Sequence, residues 1–184
     1  MYAKEMAKQS LPLLIACGLG AIVAGSTLGL MLDLFKSIPG LIVVIPGIID
    51  MRGNISTALG SRLGSAYHLG IIDSNNLWND ELKQNILGSI VLSFLVSIII
   101  GTLAYISSLL LGVTPDVLKL IVIVIITGIM SALFLTLLTI VVIYLAFKRG
   151  YDPDNITGPT LATFGDIVTI FCLYGSAILV EAII

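Results

Sequence analysis

Long hydrophobic runs dominate the chain, and short polar segments separate them. Two of these runs, residues 84–114 and 120–147, contain no Asp, Glu, Lys or Arg. Each exceeds the roughly 20 residues that an α-helix needs to cross a bilayer. Because the bilayer core cannot hydrogen-bond to exposed backbone groups, each run is predicted to be a transmembrane helix.

Three further runs are less uniform, since the second becomes polar along its length and the last contains Asp166. The pattern predicts an all-α integral membrane protein with five transmembrane helices, at approximately residues 11–34, 38–67, 84–112, 115–147 and 158–184. These helices would form one transmembrane domain over residues 1–184, with no cytoplasmic regulatory domain. The protein would be a multi-pass protein of the cell membrane.

Composition agrees with this class. The 184 residues are 58% hydrophobic and 11% charged, whereas soluble domains carry about 25% charged residues. Membrane lipid is therefore an expected partner, and no nucleic acid is expected.

The basic residues predict the orientation of the helices. Lys36 and Lys119 fall on one side of the five spans, and the other seven fall on the opposite side: Lys4, Lys8, Arg52, Arg62, Lys83, Lys148 and Arg149. The excess predicts a cytoplasmic N-terminus and an external C-terminus. Without Arg52 and Arg62, which could lie within the second span, the count is still five to two.

The second span carries a small, polar face. At 100° per residue, five residues fall within about 40° of Asn54 if the helix is continuous: Asp50, Asn54, Ala58, Ser61 and Ser65. Pro46, Gly47 and Gly53 favour an interruption of this helix, which is tolerated at membrane depth where the backbone lines a cavity. The alternative is an ordinary helix end exposed to the cytoplasm.

The fifth span carries a second polar stripe, about 120° wide. It contains Pro159, Ala162, Thr163, Asp166 and Thr169, with Asn155 in line just before it. A carboxylate within the membrane costs roughly 2.5–3.5 kcal/mol on insertion scales and therefore indicates a functional site. Capping of a neighbouring helix by Asp166, or an ion pair with Arg62, is the structural alternative. The third and fourth spans offer little chemistry, because their Ser and Thr hydroxyls can bond to their own helices.

Two segments carry a family resemblance. "PGIIDMRGNISTALGSRL" and "DPDNITGPTLATFGDIVTI" resemble the paired signatures of the MgtE family of magnesium transporters, in particular its solute carrier family 41 branch. The resemblance implies a homodimer in which the second and fifth helices line a central ion path. It implies that Asp166 binds the divalent cation, with Gly53 and Asn54 on the same path. Ser61 and Arg62 match the solute carrier branch, and Asn155 and Pro159 match its loop and helix-start motif.

The chemistry of the two stripes also favours a hard cation. Their polar groups come from Asp, Asn, Ser and Thr, without His or Cys, and such oxygen-rich sets suit Mg²⁺ better than zinc or copper. The expected metal ligands are Asp166, Asn54, Asp50 and Asn155. The expected pore-lining or supporting residues are Gly53, Thr57, Ser61, Arg62, Pro159, Thr163, Gly165 and Thr169.

The leading interpretation is a divalent cation transporter or channel that carries Mg²⁺ as a hydrated ion between paired Asp166 carboxylates, with no organic cofactor. A structural or accessory membrane subunit would not explain Asp50, Asn54 and Asp166 together. An intramembrane enzyme is disfavoured, since the sequence shows neither a nucleophile with a nearby base nor a cluster of His and Cys metal ligands. Two departures from the family stand out: sensing domains like those of bacterial MgtE proteins are not in this sequence, and it holds one membrane unit where solute carrier proteins hold two.

Overall fold

The computed structural model describes residues 2–72, 78–148 and 153–184, and these residues form six helices. The helices are α1 (Tyr2–Leu30), α2 (Leu32–Ser37), α3 (Leu41–His68), α4 (Asp80–Leu110), α5 (Val117–Lys148) and α6 (Pro153–Ile183). The prediction of an all-helical membrane protein is confirmed at this level. The run predicted as one helix over 11–34 instead ends its first helix at Leu30, and α2 follows.

Four of the described helices are long and apolar enough to cross a membrane. They are Leu41–His68, Asp80–Leu110, Val117–Ala146 and Thr160–Ile183. The apolar part found in α1 is shorter, Leu14–Leu30, and would measure about 25 Å at 1.5 Å per residue. The five-span topology and its orientation therefore stay predictions.

The expected interruption of the second span is wrong, because α3 runs unbroken through Pro46 and Gly53. Pro46 is the sixth residue of α3, so its missing N–H removes only the bond to the Ile42 carbonyl near the helix start. Gly53 is also accommodated in regular helix, and a Cβ added there would meet nothing within 4 Å. The polar residues of α3 therefore keep regular helical spacing.

The helices pack around α5 and α6. Helix α5 contacts α3, α4 and α6, α3 also contacts α4 and α6, and α1 packs on α6. One face of α4 carries buried polar residues at four-residue spacing, with Ser108 further along: Asn85, Ser89, Ser93, Ser97 and Ser108. Each of these four serines donates a hydrogen bond to the carbonyl oxygen four residues earlier. The predicted bonding of such hydroxyls to their own helix is confirmed for this face.

Gly128 sets how closely α5 approaches α4. A Cβ added to Gly128 would overlap Ser97 Oγ, would lie 3.1 Å from Ser97 Cβ, and would lie 3.4 Å from the Ser93 carbonyl oxygen. Small residues permit this close approach of helix backbones in membranes.

Gly128→Ala is expected to lower the free energy of unfolding by about 1–3 kcal/mol, because the new methyl group forces the two helices apart. Gly88→Ala on α4 is the matched control, since a Cβ there meets nothing within 4 Å and alanine favours a helix by up to about 1 kcal/mol. Unfolding titrations in detergent measure both changes. Equal stability of the two variants would contradict this prediction and show that α4 and α5 can accommodate the methyl group without loss of stability.

Candidate functional site

The exposed face of α3 presents the polar residues predicted from the sequence. Asp50, Asn54, Thr57, Ser61 and Arg62 are all exposed on the single chain. Asn54 Nδ2 donates to Asp50 Oδ2 at 3.0 Å, and Thr57 Oγ1 donates to the Gly53 carbonyl oxygen at 2.8 Å. The Asn54 amide oxygen and the second Asp50 carboxylate oxygen take no part in this bond, so this face presents hard oxygen ligands.

Helices α3 and α6 pack side by side in opposite directions. A Cβ added to Gly60 would lie 2.8 Å from Thr157 Cγ2 and 3.2 Å from Leu161 Cδ1. Ile45, near the start of α3, packs in one hydrophobic cluster with Leu173, in the second half of α6. The start of α3 therefore lies beside the end of α6.

This register places Asn54 and Asp166 at the same depth. Moving six residues back from Gly60 reaches Asn54, and moving six residues forward from 157–161 reaches 163–167, which contains Asp166. Asn54 lies 13 residues after the first residue of α3 and 14 before its last. The polar groups of both helices therefore lie near the middle of the helical bundle, the depth at which transporters commonly bind their substrates.

Asp166 is half-buried, and no described side chain or backbone group donates a hydrogen bond to it. The ion pairs found among the described residues are Lys36–Asp33 and Lys83–Asp80. Neither helix capping by Asp166 nor its ion pair with Arg62 is seen among the described residues. Asp166 is therefore a carboxylate near the middle of α6 that has no partner among the described residues.

The face of α6 that carries Asp166 is open along one half and closed along the other. Ala162 is exposed and Asp166 is half-buried, whereas Leu173 and Ala177, which fall on the same face at 100° per residue, are fully buried. The residues that cover them come from the end of α1 through the start of α3: Met31, Leu34, Ile38 and Leu41. The α6 face is therefore accessible at Ala162 and Asp166 and covered at Leu173 and Ala177.

The other residues predicted on α6 lie in different surroundings. Thr163 faces α1, where its Cγ2 would lie 2.8 Å from a Cβ added to Gly20. Gly165 and Thr169 are buried inside the chain, so they support α6 from behind rather than line its open face. The side chains of Asn155 and Pro159 lie outside the described residues.

Arg52 is the feature that the sequence did not reveal. It lies inside the bundle at 1% exposure, and its Nη1 donates a hydrogen bond to Ser93 Oγ on α4. Its Nε has no hydrogen-bond partner, and neither has the buried hydroxyl of Ser56 one turn further along α3. The sequence does contain one relevant signal. Polar residues recur every four positions on α4, and such a polar face inside a bundle indicates that a polar group of a neighbouring helix contacts it.

No three His, Cys, Asp or Glu side chains come together among the described residues to form a metal-binding group. The carboxylates that one chain offers at mid-depth are those of Asp50 and Asp166, accompanied by amide and hydroxyl oxygens. Such a set matches a weakly held, hydrated cation better than a tightly caged one, because Mg²⁺ usually keeps several of its waters.

Comparison with known proteins identifies the family. The model of the MgtE family, described as divalent cation transporter, matches residues 45–176. The chain belongs to the MgtE family. The matched range includes most of the polar helices α3 and α6 and excludes α1 and α2, so Asp50, Asn54 and Asp166 lie in the part shared with the family. This membership confirms the resemblance of the two signature segments to the MgtE family.

Curated relatives of this MgtE-family chain are solute carrier proteins. Solute carrier family 41 member 2 from Gallus gallus is 29% identical over 178 residues, which cover 91% of this chain and 30% of the relative. The Homo sapiens member 2 is 28% identical over 178 residues, covering 91% of this chain and 30% of the relative. Member 3 from Mus musculus is 30% identical over 172 residues, covering 89% of this chain and 34% of the relative. The chain spans about a third of the length of the curated relatives it matches.

Proposed function

We propose that this MgtE-family chain carries Mg²⁺ across the membrane, and that two copies assemble to complete the ion path. The observation that carries the proposal is the pair of polar groups at one depth near the middle of the helical bundle, Asn54 on α3 and Asp166 on α6. Asp166 has no partner among the described residues, and the partner of Asn54 is the exposed Asp50 on the same helix. Polar groups exposed at such depth are costly, so they indicate a path that water and ions occupy.

A second copy related by a two-fold axis supplies what one chain lacks. It covers the exposed polar face of α3, and it brings a second Asp166 carboxylate toward the first along the accessible half of the α6 face. Closed two-fold symmetry is the commonest arrangement of homo-oligomers. In this arrangement the ion path runs along the axis, and the polar face of α3 lines it with Asp50, Asn54 and Ser61.

The chemistry of the path selects a hydrated divalent cation. Carboxylate, amide and hydroxyl oxygens suit Mg²⁺, Ca²⁺ and Mn²⁺, and Mg²⁺ dehydrates reluctantly. Two carboxylates on the axis can hold a hydrated ion through its water shell. Because the waters are retained, the ion leaves without having to regain its hydration shell, which permits transport instead of trapping.

The experiment that tests this function is ion flux into liposomes that hold the purified protein alone. An Mg²⁺-sensitive dye inside the liposomes should report influx when Mg²⁺ is added outside, and empty liposomes should remain silent. Absence of flux in liposomes with correctly folded protein would favour the accessory-subunit alternative over transport by this chain.

Assembly around the open face of α6 predicts a specific crosslinking pattern. Ala162 is the position of choice, because it is exposed, whereas the neighbouring Thr163 packs on α1. In a chain whose Cys17 and Cys172 are replaced by alanine, Ala162→Cys is expected to give crosslinked dimers with a short bismaleimide. The control is Leu137→Cys on α5, a position that is 63% exposed and predicted to face lipid.

Dimer yield should be high for Ala162→Cys and near background for Leu137→Cys when both proteins are reconstituted at low density in lipid. Similar yields from the two positions would mean that collisions, rather than a defined interface, produce the crosslinks. A protein that transports Mg²⁺ while confined as a monomer in a nanodisc would overturn the two-fold assembly.

A further inference from the structure

Arg52 is a positive charge buried at the depth of the proposed ion site. It is 1% exposed, although Asp50 and Asn54, two residues away on either side, are exposed. Neither ion pair found in the described part of the chain includes Arg52. Its one hydrogen-bond acceptor is the neutral hydroxyl of Ser93, and its Nε meets no acceptor. Within the described part of the chain, the charge is therefore not neutralised by an ion pair.

The helical register places this charge behind the ion-binding face. At 100° per residue, Arg52 points 160–200° away from Asp50 and Asn54. The guanidinium and an ion on the opposite face of α3 are therefore separated by about 10 Å, the diameter of a helix with its side chains. Protein interior rather than bulk water fills this space, so screening between the two charges is weak.

We propose that Arg52 sets the affinity of the ion site, as a fixed charge that repels the divalent cation bound on the opposite face of α3. The inference rests on the proposed function, since it assumes that the cation binds beside Asn54 and Asp166. The carboxylates of Asp50 and Asp166 attract the ion into the path. The buried guanidinium of Arg52 weakens the binding of the ion, so that the ion is released quickly. The ligand concerned is a divalent cation, for which this repulsion is twice as large as for a monovalent cation at the same place.

The proposed role predicts a change in Mg²⁺ affinity opposite in direction to the change that a purely structural role predicts. If Arg52 merely held α3 against α4, its removal would loosen the ion face and weaken Mg²⁺ binding. If Arg52 repels the ion, removal of its charge strengthens Mg²⁺ binding. The direction of the affinity change therefore separates the two roles.

The experiment measures Mg²⁺-dependent thermal stabilisation of the full chain in lipid nanodiscs at constant ionic strength. Arg52→Gln deletes the charge, and Arg52→Lys retains it. We expect the half-saturating Mg²⁺ concentration to fall about tenfold in Arg52→Gln and to stay within about twofold of wild type in Arg52→Lys. Mg²⁺ flux at saturating concentration should fall in Arg52→Gln, because the ion is released more slowly.

A second variant keeps the arginine and neutralises it in place. Ser93→Asp puts a carboxylate where the guanidinium already has its hydrogen-bond acceptor, and Ser93→Asn is the neutral control of the same size. Ser93→Asp should lower the half-saturating Mg²⁺ concentration as Arg52→Gln does, while Ser93→Asn should leave it unchanged. This pair decides the matter if Arg52→Gln does not fold.

The outcomes are distinguishable from failure of the proposed function. A wild-type protein whose melting does not respond to Mg²⁺ overturns the proposed site and this inference with it. A wild-type response combined with an unchanged or raised half-saturating concentration in the charge-neutralised variants overturns the inference alone and assigns Arg52 to packing.

Discussion

Asp166→Asn is expected to abolish Mg²⁺ transport and to remove the stabilisation of the folded protein by Mg²⁺. The substitution keeps the size and much of the hydrogen-bonding capacity of the side chain, but it deletes the charge that attracts the ion. A bound ion stabilises the folded state by RT ln(1 + [L]/Kd), about 2.7 kcal/mol at a hundredfold excess over Kd. This increment should be present in wild type and absent in Asp166→Asn.

The metal-free form of Asp166→Asn should melt no lower than metal-free wild type. The carboxylate has no hydrogen-bond or ion-pair partner among the described residues, so its neutralisation breaks no contact and relieves an intramembrane charge. Asp33→Asn is the control, because Asp33 is exposed on α2 and paired with Lys36, away from the ion path. Transport at the wild-type rate by Asp166→Asn would exclude Asp166 as the site.

Asn54→Leu is expected to reduce Mg²⁺ transport to near background while expression and assembly stay near normal. Asn54 is exposed at the middle of α3, so leucine there creates no cavity and no overlap in the bundle. It removes an oxygen ligand from the path and also the amide group that donates to Asp50. A bulky apolar side chain would in addition displace the hydrated ion from this depth.

Thr102→Leu is the matched control for Asn54→Leu. Thr102 is exposed on α4 and its hydroxyl donates to the Ile98 carbonyl oxygen at 2.8 Å, so this change makes the same exchange of a polar residue for leucine on another face. In liposomes, the initial rate of Mg²⁺ influx should be near the wild-type rate for Thr102→Leu and near background for Asn54→Leu. If Asn54→Leu fails to fold while Thr102→Leu folds, the polar face of α3 is needed for the structure rather than for the ion.

The polar stripes could be predicted from the sequence because carboxylates and amides stand out in apolar segments. Asp50 and Asn54 do share an exposed face of α3, as their four-residue spacing indicated. The depth match between α3 and α6 could not be predicted in the same way. It depends on the packing of Gly60 against Thr157 and Leu161, and spacing within one helix carries no information about its neighbour.

The burial of Arg52 could not be predicted because α3 carries charged residues on both faces. Periodicity identifies two faces but does not say which one the rest of the bundle covers. Leu59 and Leu63 lie on the same side of α3 as Arg52 at helical spacing and are buried with it. The burial of these apolar residues against the bundle carries Arg52 into the interior. Pro46 led to the wrong prediction of an interrupted helix. The effect of a proline depends on how many backbone hydrogen bonds it removes, and near the start of α3 it removes only one.

The third span also proved less inert than expected. Most buried hydroxyls of α4 and α5 bond within their own helices, as predicted, although that of Thr136 on α5 has no partner. On α4, Ser93 in addition accepts from Arg52. A serine hydroxyl can donate one hydrogen bond and accept another, so its local bond to Ser89 leaves it available to a neighbouring helix. A uniform hydrophobic run can therefore contribute a polar contact at depth.

The most direct test of the proposed ion path is the structure of the assembled protein with Mn²⁺ in place of Mg²⁺, in which anomalous scattering locates the ion. The proposed path predicts a two-fold dimer with a Mn²⁺ peak on its axis, between the two Asp166 carboxylates and at the depth of Asn54. A dimer formed through other helices, or a Mn²⁺ peak bound away from Asp166 in the presence of an ordered axis, would contradict it.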